Sequence, residues 1–141
     1  MLRFGLLGAG RIGQIHGRNA AASPKGELVA IADPFPKAAE SLAKATGAQV
    51  RDIDAIFSAK DIDAVLICTP TTTHADFIER AAKTGKAIFC EKPVDLDAKR
   101  VEKTLKVVEK TGVPLMVGFN RRFDANFGAL KARIDEGVVG N

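Results

Sequence analysis

The chain contains no tryptophan and no tyrosine, and only two cysteines and two histidines among its 141 residues. Proteins that hold single-stranded nucleic acid stack bases on aromatic side chains beside a basic groove. Here there is no Trp or Tyr for that role, and most Lys and Arg alternate with Glu and Asp along helical faces. The formal net charge of +4 therefore describes a solvated surface, with no nucleic-acid partner implied. A metal site would need more ligands at tighter spacing than this chain offers. Cys68 and Cys90 each end an apolar run, "AVLIC" and "AIFC", as buried strand residues do in a reducing compartment. No apolar run approaches the roughly 20 residues of a membrane helix. The opening "MLRFGLLGAG" lacks the small-residue cleavage site of a signal peptide. The expected setting is cytoplasmic, away from membranes.

What the chain does have is regular alternation. Its length suits one domain with a real core, and 46% hydrophobic with 27% charged residues is ordinary for a globular protein. Short apolar runs predict strands at Leu2–Leu7, Leu28–Ala32, Gln49–Arg51, Ala64–Cys68, Ala87–Cys90 and Leu115–Gly118. Amphipathic patterns between them predict helices at Ile12–Ala22, Lys37–Thr46, Ile53–Ser58, Ala75–Thr84, Ala98–Thr111 and Ala125–Glu136. In the helix from Ala98, Val101, Leu105 and Val108 are assigned to the apolar face, and Gly112 with Pro114 ends it. Near-continuous apolar strands joined through helices imply right-handed crossovers and a sheet covered on both faces. The fold class expected is α/β: a Rossmann-type, doubly wound, six-stranded parallel sheet.

The stretch "RFGLLGAGRIGQIHG" gives that fold a chemical direction. Gly8 permits a tight turn after the first strand, Gly10 lets the backbone approach a diphosphate, and Gly13 allows close helix–strand packing. Backbone N–H groups at the helix start, those of Arg11, Ile12 and Gly13, would face the phosphates with the helix dipole behind them. Asp33 follows the second strand, 33 − 13 = 20 residues after the last glycine, where a carboxylate accepts from ribose hydroxyls. That carboxylate repels a 2′-phosphate, and the following "PFP" supplies no arginine, so NAD is favoured over NADP. Other polar segments end other strands: "TPTTTH" (69–74), "EKP" (91–93) and "NRRFD" (120–124). In a parallel sheet all strand carboxyl ends lie on one edge, so these segments should meet in one crevice.

Together, "GAGRIG", Asp33, "CTPTTTHAD", "FCEKPV" and "VGFNRRFDANF" resemble the glucose–fructose oxidoreductase/inositol dehydrogenase/rhizopine-catabolism (Gfo/Idh/MocA) family, and within it the inositol branch. The resemblance implies an NAD(P)-dependent dehydrogenase whose cofactor domain is this chain. It implies that Lys92 sits beside the nicotinamide and the reacting hydroxyl, as the catalytic lysine. It also makes Glu91, Thr69, Pro70 and Thr71 cofactor contacts near ribose and nicotinamide, although the threonines could equally cap the helix that follows. His74 is open between cofactor contact and capping, and His16 is read as structural. Asn120 and Arg121 match positions that approach nicotinamide or polyol, with Arg122 a second candidate. Phe123, Phe127, Leu130 and Ile134 are read as core or interdomain packing.

The resemblance further implies an Asp and a His, as acid/base pair, in a C-terminal domain built on an open sheet. The sequence ends at "GVVGN", about where that domain would begin, so the chain is expected to be the cofactor half, residues 1–141. The exposed flank of the last helix and the "GVV" tail should then be apolar and prone to self-association, with a homo-oligomer as one outcome. Two functions remain: the cofactor domain of an NAD-dependent polyol dehydrogenase, or a stand-alone NAD-binding or sensing module without turnover.

Overall fold

The structure, a computed structural model, describes residues 1–138 and residue 140. Among these lie six strands: β1 (Leu2–Leu7), β2 (Gly26–Ala32), β3 (Gln49–Val50), β4 (Ala64–Ile67), β5 (Ala87–Cys90) and β6 (Leu115–Val117). They form one sheet in the order β3-β2-β1-β4-β5-β6, with every neighbouring pair parallel. The helices are α1 (Arg11–Ala22), α2 (Pro36–Thr46), α3 (Ile53–Ser58), α4 (His74–Lys83), α5 (Ala98–Thr111) and α6 (Ala125–Asp135). Strand order reverses at β1, so the chain leaves β1 toward β2 and later returns to pair β4 on its other side. A crevice opens at that point in doubly wound sheets.

Alternation along the strands explains why they are apolar throughout. Leu6 and Leu66 join Leu28, Ile31 and Leu42 in a core on one face, where residues of α1 and α2 also pack. Leu7, Val65 and Ile67 join Ile56, Ile78 and Ile88 on the other, under α3, α4 and α5. A fully buried Leu or Ile contributes about 1.5–3 kcal/mol relative to an exposed one, so both faces stabilise the sheet.

Several expectations shift, among them β2, which begins two residues earlier than expected, at Gly26. Helices α1, α2 and α4 begin one residue earlier than the periodicity suggests; Pro36, with its fixed φ, suits the first helical position. In α5 the buried face includes Thr104 in place of Leu105, which is 39% exposed. Thr104 donates to Glu79 of α4 at 3.1 Å and accepts from Arg100 at 3.0 Å, and satisfying those polar groups sets the helix rotation. Phe123, Phe127, Leu130 and Ile134 are not core residues: all are exposed, and α6 contributes no buried residue. Asp124 caps that helix by accepting from the N–H groups of Asn126 and Phe127. Val138 of the tail is exposed, and Val139 lies outside the described residues. Among the described residues no helix is long and apolar enough to cross a membrane, and no cluster could hold a metal ion.

Candidate functional site

The glycine turn is built by contacts that exclude side chains at two of its three glycines. Gly8 has φ +92°, and a Cβ there would lie 2.6 Å from the carbonyl oxygen of Cys68. Its N–H donates to Ala32 O at 2.8 Å, which ties β1 to the end of β2. A Cβ on Gly13 would lie 1.9 Å from the Gly8 carbonyl oxygen, so α1 reaches the turn only through a glycine. Gly10 differs. Its φ of −68° suits any residue, and among the described residues nothing lies within 4 Å of where its Cβ would be. No side chain among the described residues caps α1. The result is an uncapped helix N-terminus with open space over Gly10, as diphosphate binding requires.

Asp33 sits beside this turn at the end of β2. Its Oδ2 accepts from Ala9 N–H at 2.6 Å and its Oδ1 from Phe35 N–H at 2.8 Å, so both loops orient the carboxylate. It lines a cavity of about 660 Å³ together with Pro34, Asp52, Ile53, Phe77 and Arg80.

A second cavity at the same sheet edge, about 590 Å³, collects Arg11, Ile12, Thr69, Pro70, Thr71, His74, Glu91, Lys92 and Asn120. Nine of the residues singled out from sequence thus share one wall. Ile15 and His16 line it too. His16, read as structural from sequence, lies four residues beyond Ile12, one turn along the same face of α1. Arg121 departs from expectation. It lies over the Phe127 ring at 4.9 Å, reaches Asp124 at 3.4 Å, and does not line the cavity. The larger cavity of about 710 Å³ lies at the opposite edge, around Lys60, Asp63 and Lys86. Its polar groups are engaged in tying loops together: Lys86 Nζ donates to Ala59 O and Ile62 O, and Asp63 pairs with Arg3.

The threonines bond to the loop itself, and no side chain among the described residues caps α4. Thr73 Oγ1 donates to Pro70 O at 2.8 Å and lies 2.7 Å from Thr69 Oγ1, closing a single 3₁₀ turn over Thr71–Thr73. His74 is 1% exposed, with Nδ1 2.7 Å from Pro93 O and Nε2 2.7 Å from Thr69 O. It therefore fastens two site loops together while still touching the cavity. The Lys92–Pro93 bond is cis, and Lys92 is exposed at the mouth.

Glu91 is the most enclosed charge in the cavity. Its carboxylate meets His16 Nε2 at 2.7 Å, and the two side chains are 15% and 26% exposed respectively. Burial, reinforced by this carboxylate, pushes the neighbouring Cys68 and Cys90 thiols up to about 12, so both stay protonated and unreactive.

A family model described as an oxidoreductase family with an NAD-binding Rossmann fold (GFO_IDH_MocA) matches residues 2–119. The chain belongs to this family. The Gfo/Idh/MocA assignment agrees with the motifs and with the six-stranded parallel sheet. An inositol 2-dehydrogenase of Rhizobium meliloti is 62% identical over 139 residues, which are 99% of this chain and 42% of that protein. A scyllo-inositol 2-dehydrogenase (NAD(+)) of Bacillus subtilis is 42% identical over 142 residues, covering 99% of this chain and 42% of the relative. The crystal structure of scyllo-inositol dehydrogenase from Lactobacillus casei with bound NAD(H) and scyllo-inositol superposes with a TM-score of 0.93. It is 33% identical and is matched over 100% of this chain and 43% of its own. The chain spans less than half the length of these Gfo/Idh/MocA relatives.

Proposed function

We propose that this chain is the cofactor-binding part of an NAD-dependent dehydrogenase acting on inositol or a related polyol. The observation that carries the reading is the convergence of five strand-end segments on one sheet edge, with an uncapped helix N-terminus and open space over Gly10 among them. The dinucleotide, when bound, supplies the hydride acceptor for a secondary alcohol carbon. The N–H groups of Arg11, Ile12 and Gly13 hold its diphosphate at the start of α1. Asp33 accepts from the adenine-side ribose hydroxyls. Thr69, Pro70, Thr71, Glu91 and Asn120 form the wall of the nicotinamide end. His74, bridging Thr69 and Pro93, keeps two of these loops in register. Arg121 is assigned to the same end but would have to leave Asp124 to reach it.

Lys92 is assigned the catalytic role. Its ammonium donates a hydrogen bond to the substrate hydroxyl and favours the developing alkoxide, so the oxygen's proton departs more easily. The group that receives that proton is assigned to the portion of the longer relatives that this chain does not span. A cytoplasmic setting accords with two free, buried thiols.

NAD is preferred over NADP because Asp33 is already oriented by two backbone N–H groups and would meet a 2′-phosphate with like charge. Calorimetric titration of the chain with both dinucleotides tests this. NAD should bind more tightly, and Asp33→Asn, which keeps an acceptor for the loop but removes the charge, should narrow the difference. Equal affinity of the unmutated chain for NADP would overturn the assignment.

A further inference from the structure

His16 is one of two histidines in the chain, and the polyol-dehydrogenase reading gives it no task. Its surroundings are specific. From α1 it presents Nε2 to Glu91 Oε1 at 2.7 Å, across 75 residues of sequence. Phe89, two residues before Glu91, meets the imidazole edge-on with centroids 4.8 Å apart. On the far side of the carboxylate, a Cβ on Gly118 would come within 3.1 Å of Oε1, so the end of β6 closes against it with bare backbone. Oε1 is thus held between a histidine and a glycine. Oε2 is left to accept from the Lys92 backbone N–H at 3.3 Å.

We infer that His16 is a positioning residue for the nicotinamide end of the site, fixing the Glu91 carboxylate and, through it, the peptide that carries Lys92. This inference rests on the cofactor reading above. A pair that served packing alone would not need charge. Taking a carboxylate to 15% exposure costs solvation, and apolar residues of similar size fill such positions at least as well. The pair also connects two different ends of the proposed ligand. The helix that carries His16 starts at the diphosphate turn after β1, while Glu91 and Lys92 follow β5, two strands away in the sheet. A bond across that gap sets the distance between them. Without it, Glu91 is free to turn into the cavity and occupy space meant for the nicotinamide.

The test compares NAD with ADP-ribose, which keeps the adenosine, diphosphate and second ribose but lacks nicotinamide. His16→Leu removes the donor and retains an apolar filling, whereas His16→Gln keeps an N–H donor at similar reach. Affinities are read by calorimetry on the 141-residue chain, with thermal unfolding in parallel. His16→Leu should weaken NAD about tenfold, the size expected for losing one well-placed charged hydrogen bond. It should leave ADP-ribose within about twofold of the parent and shift the melting temperature little, and His16→Gln should recover most of the NAD affinity. In a Glu91→Gln background, His16→Leu should add little further loss, because the two act through one contact. Equal weakening of NAD and ADP-ribose, or no rescue by glutamine, would mean that His16 merely seats α1, and the inference falls. Failure of the unmutated chain to bind either ligand would instead overturn the cofactor reading, and this inference with it.

Discussion

His74 Nδ1 lies 2.7 Å from the carbonyl oxygen of Pro93, and its other ring nitrogen lies equally close to that of Thr69. Both partners are backbone carbonyl oxygens, so the ring spans the two loops through its two nitrogens. The residue is buried at the start of α4, and it ties the loop after β4 to the turn that carries Lys92. His74→Phe should fill the space yet remove the polar bridge between the two loops, at a cost of about 1–3 kcal/mol for the buried partner left unsatisfied. Urea unfolding measures the loss. Hydrogen exchange should quicken in residues 69–71 and 91–94 while the β1–β2 half of the sheet stays protected. An unchanged midpoint would show that the bridge contributes nothing to the fold.

Gly13 and Gly10 of the first turn should separate by role. Gly13→Ala sets a Cβ 1.9 Å from backbone, which no rotamer relieves, so this variant should fail to fold. Gly10→Ala meets nothing among the described residues and has an unstrained φ of −68°. It should melt with the parent but bind NAD more weakly by tenfold or more, because the methyl occupies the diphosphate's approach. Circular dichroism and calorimetry on the two variants check this. Undiminished NAD binding by Gly10→Ala would move the diphosphate elsewhere.

The fold was legible because its signals are local. Leu6 and Leu7 point to opposite cores, so β1 has to be apolar at both positions, and the same holds for Val65 and Leu66. The cavity wall was legible through topology, since a parallel sheet collects strand ends whatever their order in sequence. His16 was not legible, because its partner lies 75 residues away and the pairing depends on how α1 packs over β5. Arg121 stands apart from the cavity wall for the opposite reason. A short 3₁₀ turn at Asn120–Phe123 redirects the chain, and Asp124 and Phe127, both close in sequence, hold its guanidinium. Thr104 shows a third limit: apolar periodicity favours Leu105 for the inner face until Glu79 and Arg100 are known to need a hydroxyl.

The buried thiols predict an alkaline limb in stability. In the folded chain Cys68 and Cys90 hold their protons up to about 12, whereas free thiols release them near about 8.5. Between these values the unfolded state binds fewer protons than the folded state, so stability falls as pH rises. The contribution is fully present below about pH 8.5 and diminishes toward pH 12, by at most about 1.4 kcal/mol per pH unit for each thiol. Urea titrations at pH 8, 9, 10 and 11 should show a steeper decline for the parent than for a Cys68→Ala/Cys90→Ala variant. Parallel curves would mean that the thiols titrate alike in both states. In the same range the native thiols should resist alkylation.

Lys92 should separate binding from chemistry. The 141-residue chain, with NAD saturating, should give no measurable NADH from inositol or other polyols. Lys92 offers one hydrogen bond to the reacting hydroxyl, and the residues around it all belong to the cavity at the sheet edge. Substrate positioning can contribute about 7–11 kcal/mol in favourable cases, and a general base about 10²–10⁴ in rate. Loss of both leaves turnover below detection. In a protein of the relatives' full length, Lys92→Ala should lower kcat by 100-fold or more while changing NAD affinity by less than about threefold, since the ammonium acts on the hydroxyl oxygen as charge develops there. Fluorescence titration with NAD and steady-state NADH formation measure the two effects separately. Robust NADH production by the 141-residue chain, abolished by Lys92→Ala, would require a proton acceptor within residues 1–141 and would overturn the division of labour argued for this site.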